Sequence, residues 1–223
     1  MIEPVPRPPR APRQRRAVAT RQRVYEAAMA EYGRVGLEGA RVEDIVTAAG
    51  VSWGTFFHYF PTKEDVLLEA SATVCRAFAT AAAAGLETGQ DTEMVLRQAF
   101  EALFRAAEVV AGARPLRGAM LNQVVNHPGR LTAYLGDDVP TPVRVTTEVL
   151  VAGQRSGEIR ADEPAEALAV IVLYAVLFST RRSATLGRPA GSSPLSRLAL
   201  QIVLRGMRPA ERSLRPDEPA PVG

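Results

Sequence analysis

Between Arg41 and Lys63 the chain reads RVEDIVTAAGVSWGTFFHYFPTK, and here the side chains have the types and spacing to meet a nucleic acid. The spacing predicts two short helices, Val42–Ala49 and one capped by Ser52 that runs to about Tyr59, joined by Gly50-Val51. Helices joined that tightly can seat one of the pair in a DNA major groove. Phe56 and Phe60 lie four apart and can close a small core with Val24, Ile45 and Val51. Trp53, Gly54, Thr55, Phe57 and His58 are then left on the outer side. Gly54 allows backbone to approach a duplex closely. Thr55 can reach a phosphate or a thymine methyl, and Tyr59 offers a hydroxyl to phosphate. Lys63, the only lysine among 27 basic residues, is expected at the start of the next helix, where an anion is favoured. Plainer readings stand beside these: Trp53 and Phe57 could pack on a neighbouring helix, and His58 could be an ordinary surface residue.

No competing chemistry stands out. The histidines are two, His58 and His127, and Cys75 is the single cysteine. No Ser/His/Asp arrangement, metal-ligand spacing or Gly-rich phosphate loop accompanies them, so no catalytic residue, metal or cofactor is expected. One cysteine excludes an internal disulfide, and its place in SATVCRAF favours a buried thiol over a redox sensor.

The elements that must position these residues are helical. The chain has 223 residues, 47% hydrophobic and 6% aromatic, enough for a sizeable core, and no alternating Val/Ile/Thr runs suggest a sheet. Net charge is +3, but Arg7, Arg10, Arg13, Arg15, Arg16, Arg21 and Arg23 crowd the N-terminal region. Such an arm suits a polyanion or a solubilising, disordered tail. A first helix is predicted from Ala17 to Val35, stopped at Gly36, with Val24, Ala27, Ala28 and Tyr32 on one face. Gly50 suits the left-handed position that ends the second helix. Further helices are predicted from Lys63 to Ala84, from Asp91 or Thr92 to Ala111, and over 115–126, 140–156, 164–186 and 194–207, with a short irregular helical piece in 129–138. The longest apolar stretch, Ala167 to Thr180, is too short for a bilayer. The N-terminus lacks an apolar leader segment, so a cytoplasmic protein with no membrane partner is expected.

The first sixty-odd residues resemble the TetR family of bacterial transcription regulators. The resemblance is carried by Val24-Tyr25-Glu26-Ala27-Ala28, Gly36, Val42-Glu43-Asp44-Ile45, Ala49-Gly50-Val51-Ser52, Gly54-Thr55-Phe56, Tyr59-Phe60 and Lys63-Glu64. It implies an all-α fold of about nine helices. A disordered arm (1–15) would precede a three-helix helix-turn-helix domain (16–62, motif 41–60). A larger ligand-binding and dimerisation domain (63–208) and a disordered tail (209–223) would follow. The candidate DNA contacts in this chain are Arg41, Ser52, Trp53, Gly54, Thr55, Phe57, His58, Tyr59 and Lys63. Two departures matter. Ala40-Arg41 stand where the family commonly has a hydroxyl residue, so the cap is lost and Arg41 could contact phosphate instead. Phe57 stands where many relatives carry Tyr, and can make only apolar contact.

The family layout implies a homodimer that binds a palindromic operator as a repressor and is released by a small molecule. Leu168, Ile171, Val172, Leu195, Leu198 and Ile202 are candidates for the dimer face, with completion of the monomer core as the alternative. Met94, Phe100, Phe104, Met120, Tyr134, Tyr174 and Phe178 could line an effector pocket or be plain core. Asn122, Gln123, Asn126 and His127 form i,i+4 pairs that could orient an uncharged ligand or simply cap a helix. A helical interaction module with a degenerate motif is the alternative function, and an enzyme the least favoured.

Overall fold

The computed structural model describes residues 12–111, 116, 118–120, 128–136, 139–185 and 194–209. Among them there is no strand, and the fold is all-α. The helices are α1 (Pro12–Gly39), α2 (Val42–Ala49), α3 (Trp53–Tyr59), α4 (Asp65–Glu87), α5 (Thr92–Ala111), α6 (Pro128–Leu135), α7 (Pro142–Ser156), α8 (Ala165–Thr185) and α9 (Pro194–Gly206). Leu116 and residues 118–120 are helical too. The chain divides into two compact units. One comprises residues up to Arg76 with Leu103–Val139, the other Ala77–Ala102 with the residues from Pro140 onward.

In the first unit, α1 packs on α2 and α2 on α3. Val24, Ala28 and Tyr32, four apart along α1, are buried, as are Ile45, Val46 and Ala49 of α2 and Phe56 and Phe60. The regular helix breaks at Gly36, as its spacing suggested. Gly36 has φ 77° and ψ 168°, a conformation essentially reserved for glycine, and the chain resumes helix for one more turn after that kink. Gly50, at φ 62° and ψ 45°, ends α2 in the left-handed region. Its N–H bonds Thr47 O, and the Val51 N–H bonds Val46 O at 3.0 Å, which satisfies the last carbonyls and turns the chain into α3. Further along, Leu68, Ala72 and Cys75 of α4 form a second small core with Leu131 and Leu135 of α6. Burial pushes the Cys75 thiol up to about 12, so it stays protonated and unreactive at neutral pH.

The sequence underrated α4. It is 23 residues long with a mean hydropathy of 1.3 in its most apolar window, which by length and composition alone could cross a membrane. More than half of that window is buried within the protein, and Val66, Leu67, Leu68, Val74 and Phe78 account for its apolar character as core.

In the second unit, α7 packs on α8 and α8 on α9. Val145, Val149 and Leu150 of α7 are buried, as are Val172, Leu173 and Val176 of α8 and Leu200 and Leu204 of α9. Thr180 and Ser196 pair their hydroxyls at 2.9 Å, satisfying two polar groups that α8 and α9 bury. The Thr92 N–H donates to the Glu158 carboxylate at 2.7 Å, fastening the start of α5 to the turn after α7. Gly153 makes that contact possible. A Cβ there would lie 2.3 Å from Thr92 Oγ1 and 2.8 Å from Ile159 Cγ1. Alanine in a helix interior is ordinarily better than glycine by about 1 kcal/mol. Gly153→Ala is expected to reverse that sign and destabilise the chain by about 1–3 kcal/mol through overpacking, read as a lower urea midpoint.

Candidate nucleic-acid interface

The helix that could read DNA is built from its cap outward. Ser52 sits in extended backbone before α3, and its Oγ accepts the Thr55 N–H at 3.2 Å and lies 2.9 Å from Thr55 Oγ1. That satisfies one of the donors a helix start leaves open. Both hydroxyls are therefore engaged in the cap. Phe56 and Phe60 are fully buried, as their spacing suggested. Burying a phenylalanine side chain is worth roughly 2–3 kcal/mol, so these two rings do most to hold a seven-residue helix that could not persist alone. Trp53, at 49% exposure, and Phe57, at 42%, stand on the opposite side, their ring centroids 5.9 Å apart. Gly54 and His58 are exposed with them. Tyr59 is half-buried, its ring 5.0 Å from that of His58.

Arg41 is the N-cap residue of α2 and makes no side-chain cap bond. Its exposed guanidinium pairs with the Glu43 carboxylate. Glu43 and Asp44 fill the first turn, where negative charge suits the helix dipole and offsets the missing cap.

Lys63 is placed differently from its sequence reading. α4 opens at Asp65, and Lys63 lies in the turn before it. Its ammonium points back to the end of α1, 2.8 Å from Leu37 O and 3.4 Å from both Glu38 O and Ala40 O. The last turn of α1 contains no basic residue of its own. A cation there answers the partial negative charge of open carbonyls, so Lys63 caps α1 from a distance. Its own carbonyl accepts the Tyr32 hydroxyl at 2.7 Å. Burial, then the nearby Glu64 and Asp65 carboxylates, raise the Tyr32 phenol well above its ordinary range, keeping it a donor.

Three further groups support the motif from outside it, none evident in the sequence. The Asp65 carboxylate, buried, accepts the Thr62 N–H and hydroxyl, each at 2.9 Å, and pairs with the Arg130 guanidinium of α6. Arg21 of α1 lies over the Phe60 ring, 5.3 Å from its centroid, and 5.9 Å from that of Tyr134. The same guanidinium is 2.6 Å from Glu69 Oε2, a close ion contact without the alignment of a hydrogen bond. Burial raises the Glu69 pKa, with Arg21 and Arg76 opposing. The only sequence signal for these ties was the periodic apolar face of α1, and it does not reveal polar partners.

The effector candidates fall in different places. Phe104 and Met120 are buried in the first unit, where Tyr134 is half-buried. In the second unit Phe100 is buried edge-on to Phe78. Met94 lines an open cleft of about 690 Å³ with Asp91, Arg97, Glu158, Leu204 and Arg208. Tyr174 and Phe178 are exposed on the same stripe of α8 as Ile171, so an enclosed pocket cannot rest on them. Asn122, Gln123, Asn126 and His127 lie outside the described residues. Of the dimer candidates, Ile171, Leu195, Leu198 and Ile202 are exposed, whereas Leu168 and Val172 are buried. Helical phase explains the division: residues 171, 174 and 178 share one face, and 168, 172 and 176 the opposite one.

The comparisons with known proteins agree with this geometry. The sequence model of the family described as "Bacterial regulatory proteins, tetR family" matches residues 24–70, which span α1 from Val24 through the start of α4. Over those residues the chain is similar to that family, and the match takes in α2, the turn at Gly50 and α3. The HTH-type transcriptional regulator TcmR of Streptomyces glaucescens is 32% identical over 126 residues, 55% of this chain and 55% of that protein. The chain thus matches about half the length of that relative. The solved structure of Thermus thermophilus FadR, a TetR family transcriptional repressor in complex with lauroyl-CoA, aligns over 91% of this chain and all of its own. The TM-score is 0.65 with 28% identity. The fatty acid degradation regulator FadR from Bacillus halodurans shares the fold, with a TM-score of 0.62 and 19% identity over 90% of this chain and 98% of its own.

Removing the Lys63 ammonium tests the tie. Lys63→Met is expected to lower unfolding stability by about 1–3 kcal/mol, and Tyr32→Phe by about 1 kcal/mol, in urea titrations. The double variant should cost less than the sum, because each loosens the same turn.

Proposed function

We propose that the chain is a transcription regulator of the TetR type, most plainly a repressor, that binds a palindromic operator as a homodimer and is released by a small molecule. The observation that carries this reading is α3. Its inner face is committed to Phe56 and Phe60, while Trp53 and Phe57 are exposed beside a backbone kept bare by Gly54. Arg41, Thr55, His58 and Tyr59 flank that face as contacts to phosphate and sugar. Residues 16–62 carry DNA binding, and 63–208 carry dimerisation and effector response.

A second apolar surface supports the dimer. Ile171, Tyr174 and Phe178 on α8 and Leu198 and Ile202 on α9 are exposed, Phe178 at 68% and Ile202 at 60%. Monomers rarely leave so continuous a strip uncovered. A palindromic operator calls for two copies of α3, one for each of two successive major grooves about 34 Å apart. The lauroyl-CoA bound to the Thermus relative supports a small-molecule effector here, acting by favouring a dimer whose reading helices are wrongly spaced. A cytoplasmic location follows from operator binding.

Selection of duplexes from a random pool, with sedimentation of the products, tests the reading. The full chain is expected to enrich a palindrome and to sediment with two protomers per duplex. Arg41→Ala should weaken all duplexes alike and reduce the salt slope by about one. Phe178→Asp should yield folded monomers that bind at least tenfold more weakly. Enrichment of no sequence would contradict it.

A further inference from the structure

Taking α3 as the DNA-reading helix, as proposed above, we infer that it recognises the C5 methyl groups of thymine, through a ridge formed by Trp53 and Phe57. Base pairs are ordinarily told apart by bidentate hydrogen bonds: Arg or Lys to guanine, Asn or Gln to adenine, Asp or Glu to cytosine. From Val51 to Pro61 the chain has none of those six residue types. Ser52 and Thr55 bond each other at 2.9 Å in the helix cap, so neither hydroxyl is a bidentate reader of a base edge. His58 is exposed, but a ring offers one nitrogen at a time to a base edge.

What remains is apolar and rigid. Trp53 and Phe57 are four apart, so they stand one above the other on the same face, with ring planes tilted by 38°. Phe57 is braced from behind by Phe56, fully buried and edge-on with centroids 5.2 Å apart. Both rings of the ridge stay exposed to water. Beside it, Gly54 has no internal reason to be glycine. A Cβ there would meet nothing nearer than Ser52 Oγ at 3.9 Å. Glycine weakens a helix relative to alanine, so a bare position with free space is explained by an outside surface that comes close. In the major groove the apolar group available to an aromatic side chain is the thymine methyl. Trp53 Nε1–H can add a hydrogen bond to an adjacent acceptor, such as O4 of the same base.

Deoxyuridine isolates that methyl, because it pairs as thymine does and lacks only that group. The palindrome selected by the full chain is remade with deoxyuridine at one thymine of one half-site at a time, and affinity is measured for the wild type, Trp53→Ala and Phe57→Ala. At one or two positions the wild type is expected to lose about fourfold, the equivalent of one buried methyl. At those positions at least one variant, already weaker, should be indifferent to the exchange. Trp53 is half-exposed, so its variant leaves the core intact; matching thermal melts confirm it. Sequence-specific binding that tolerates deoxyuridine everywhere would overturn methyl recognition and leave α3 as the DNA-reading helix. A uridine loss that persists in both variants would assign the methyl to other residues and overturn the role of the ridge. Failure to bind any duplex would overturn both readings.

Discussion

The ammonium of Lys63 on the carbonyl oxygens that close α1 is the contact on which the N-terminal unit depends. α2 has eight residues and α3 seven, and helices that short do not hold themselves. Their position is set by α1, and α1 itself is interrupted at Gly36. The single turn beyond that kink would leave its carbonyls open to water. Lys63 closes them while its backbone carbonyl takes the Tyr32 hydroxyl, so one residue fastens the chain leaving α3 to both sides of the kink. Asp65, through Thr62 and Arg130, anchors the following residues. α3 can then present apolar rings outward without collapsing onto them.

Periodicity made the motif legible. Val42–Ala49, the left-handed Gly50, the Ser52 cap and the inward Phe56 and Phe60 all follow from local rules, and each is found where those rules place it. What periodicity cannot show is where a long polar side chain ends. Lys63 was read as an anion site because its neighbours in sequence are a helix start. Its actual partners are 23 to 26 residues earlier, brought near by the kink. Gly36 reads as a stop because a glycine after a periodic run usually is one, and its non-helical backbone agrees; the further turn beyond it is not legible in the spacing.

The second unit repeats the lesson at α8. A helix apolar nearly all round does not disclose which stripe its own protein covers. Packing by α7 and α9 takes Leu168, Val172 and Val176 and leaves Ile171, Tyr174 and Phe178 in water. Among the described residues, α3 and the α8–α9 pair thus carry exposed apolar surfaces of different character. That on α3 is a narrow aromatic ridge beside polar groups and suits a groove. That on α8 and α9 is a broader strip, the face on which the proposed dimer rests.

Amide hydrogen exchange compared between the native chain and Lys63→Met tests most directly whether α3 owes its position to this tie. The amides of Phe56 and Phe60, bonded to Ser52 O at 3.1 Å and Phe56 O at 2.9 Å, report on α3, and those of Val149 and Leu150 on α7. If the tie holds the motif, Lys63→Met speeds exchange at Phe56 and Phe60 at least tenfold and leaves Val149 and Leu150 unchanged, a local opening. Equal protection at Phe56 and Phe60 in the two proteins would show that α2 and α3 are held without it.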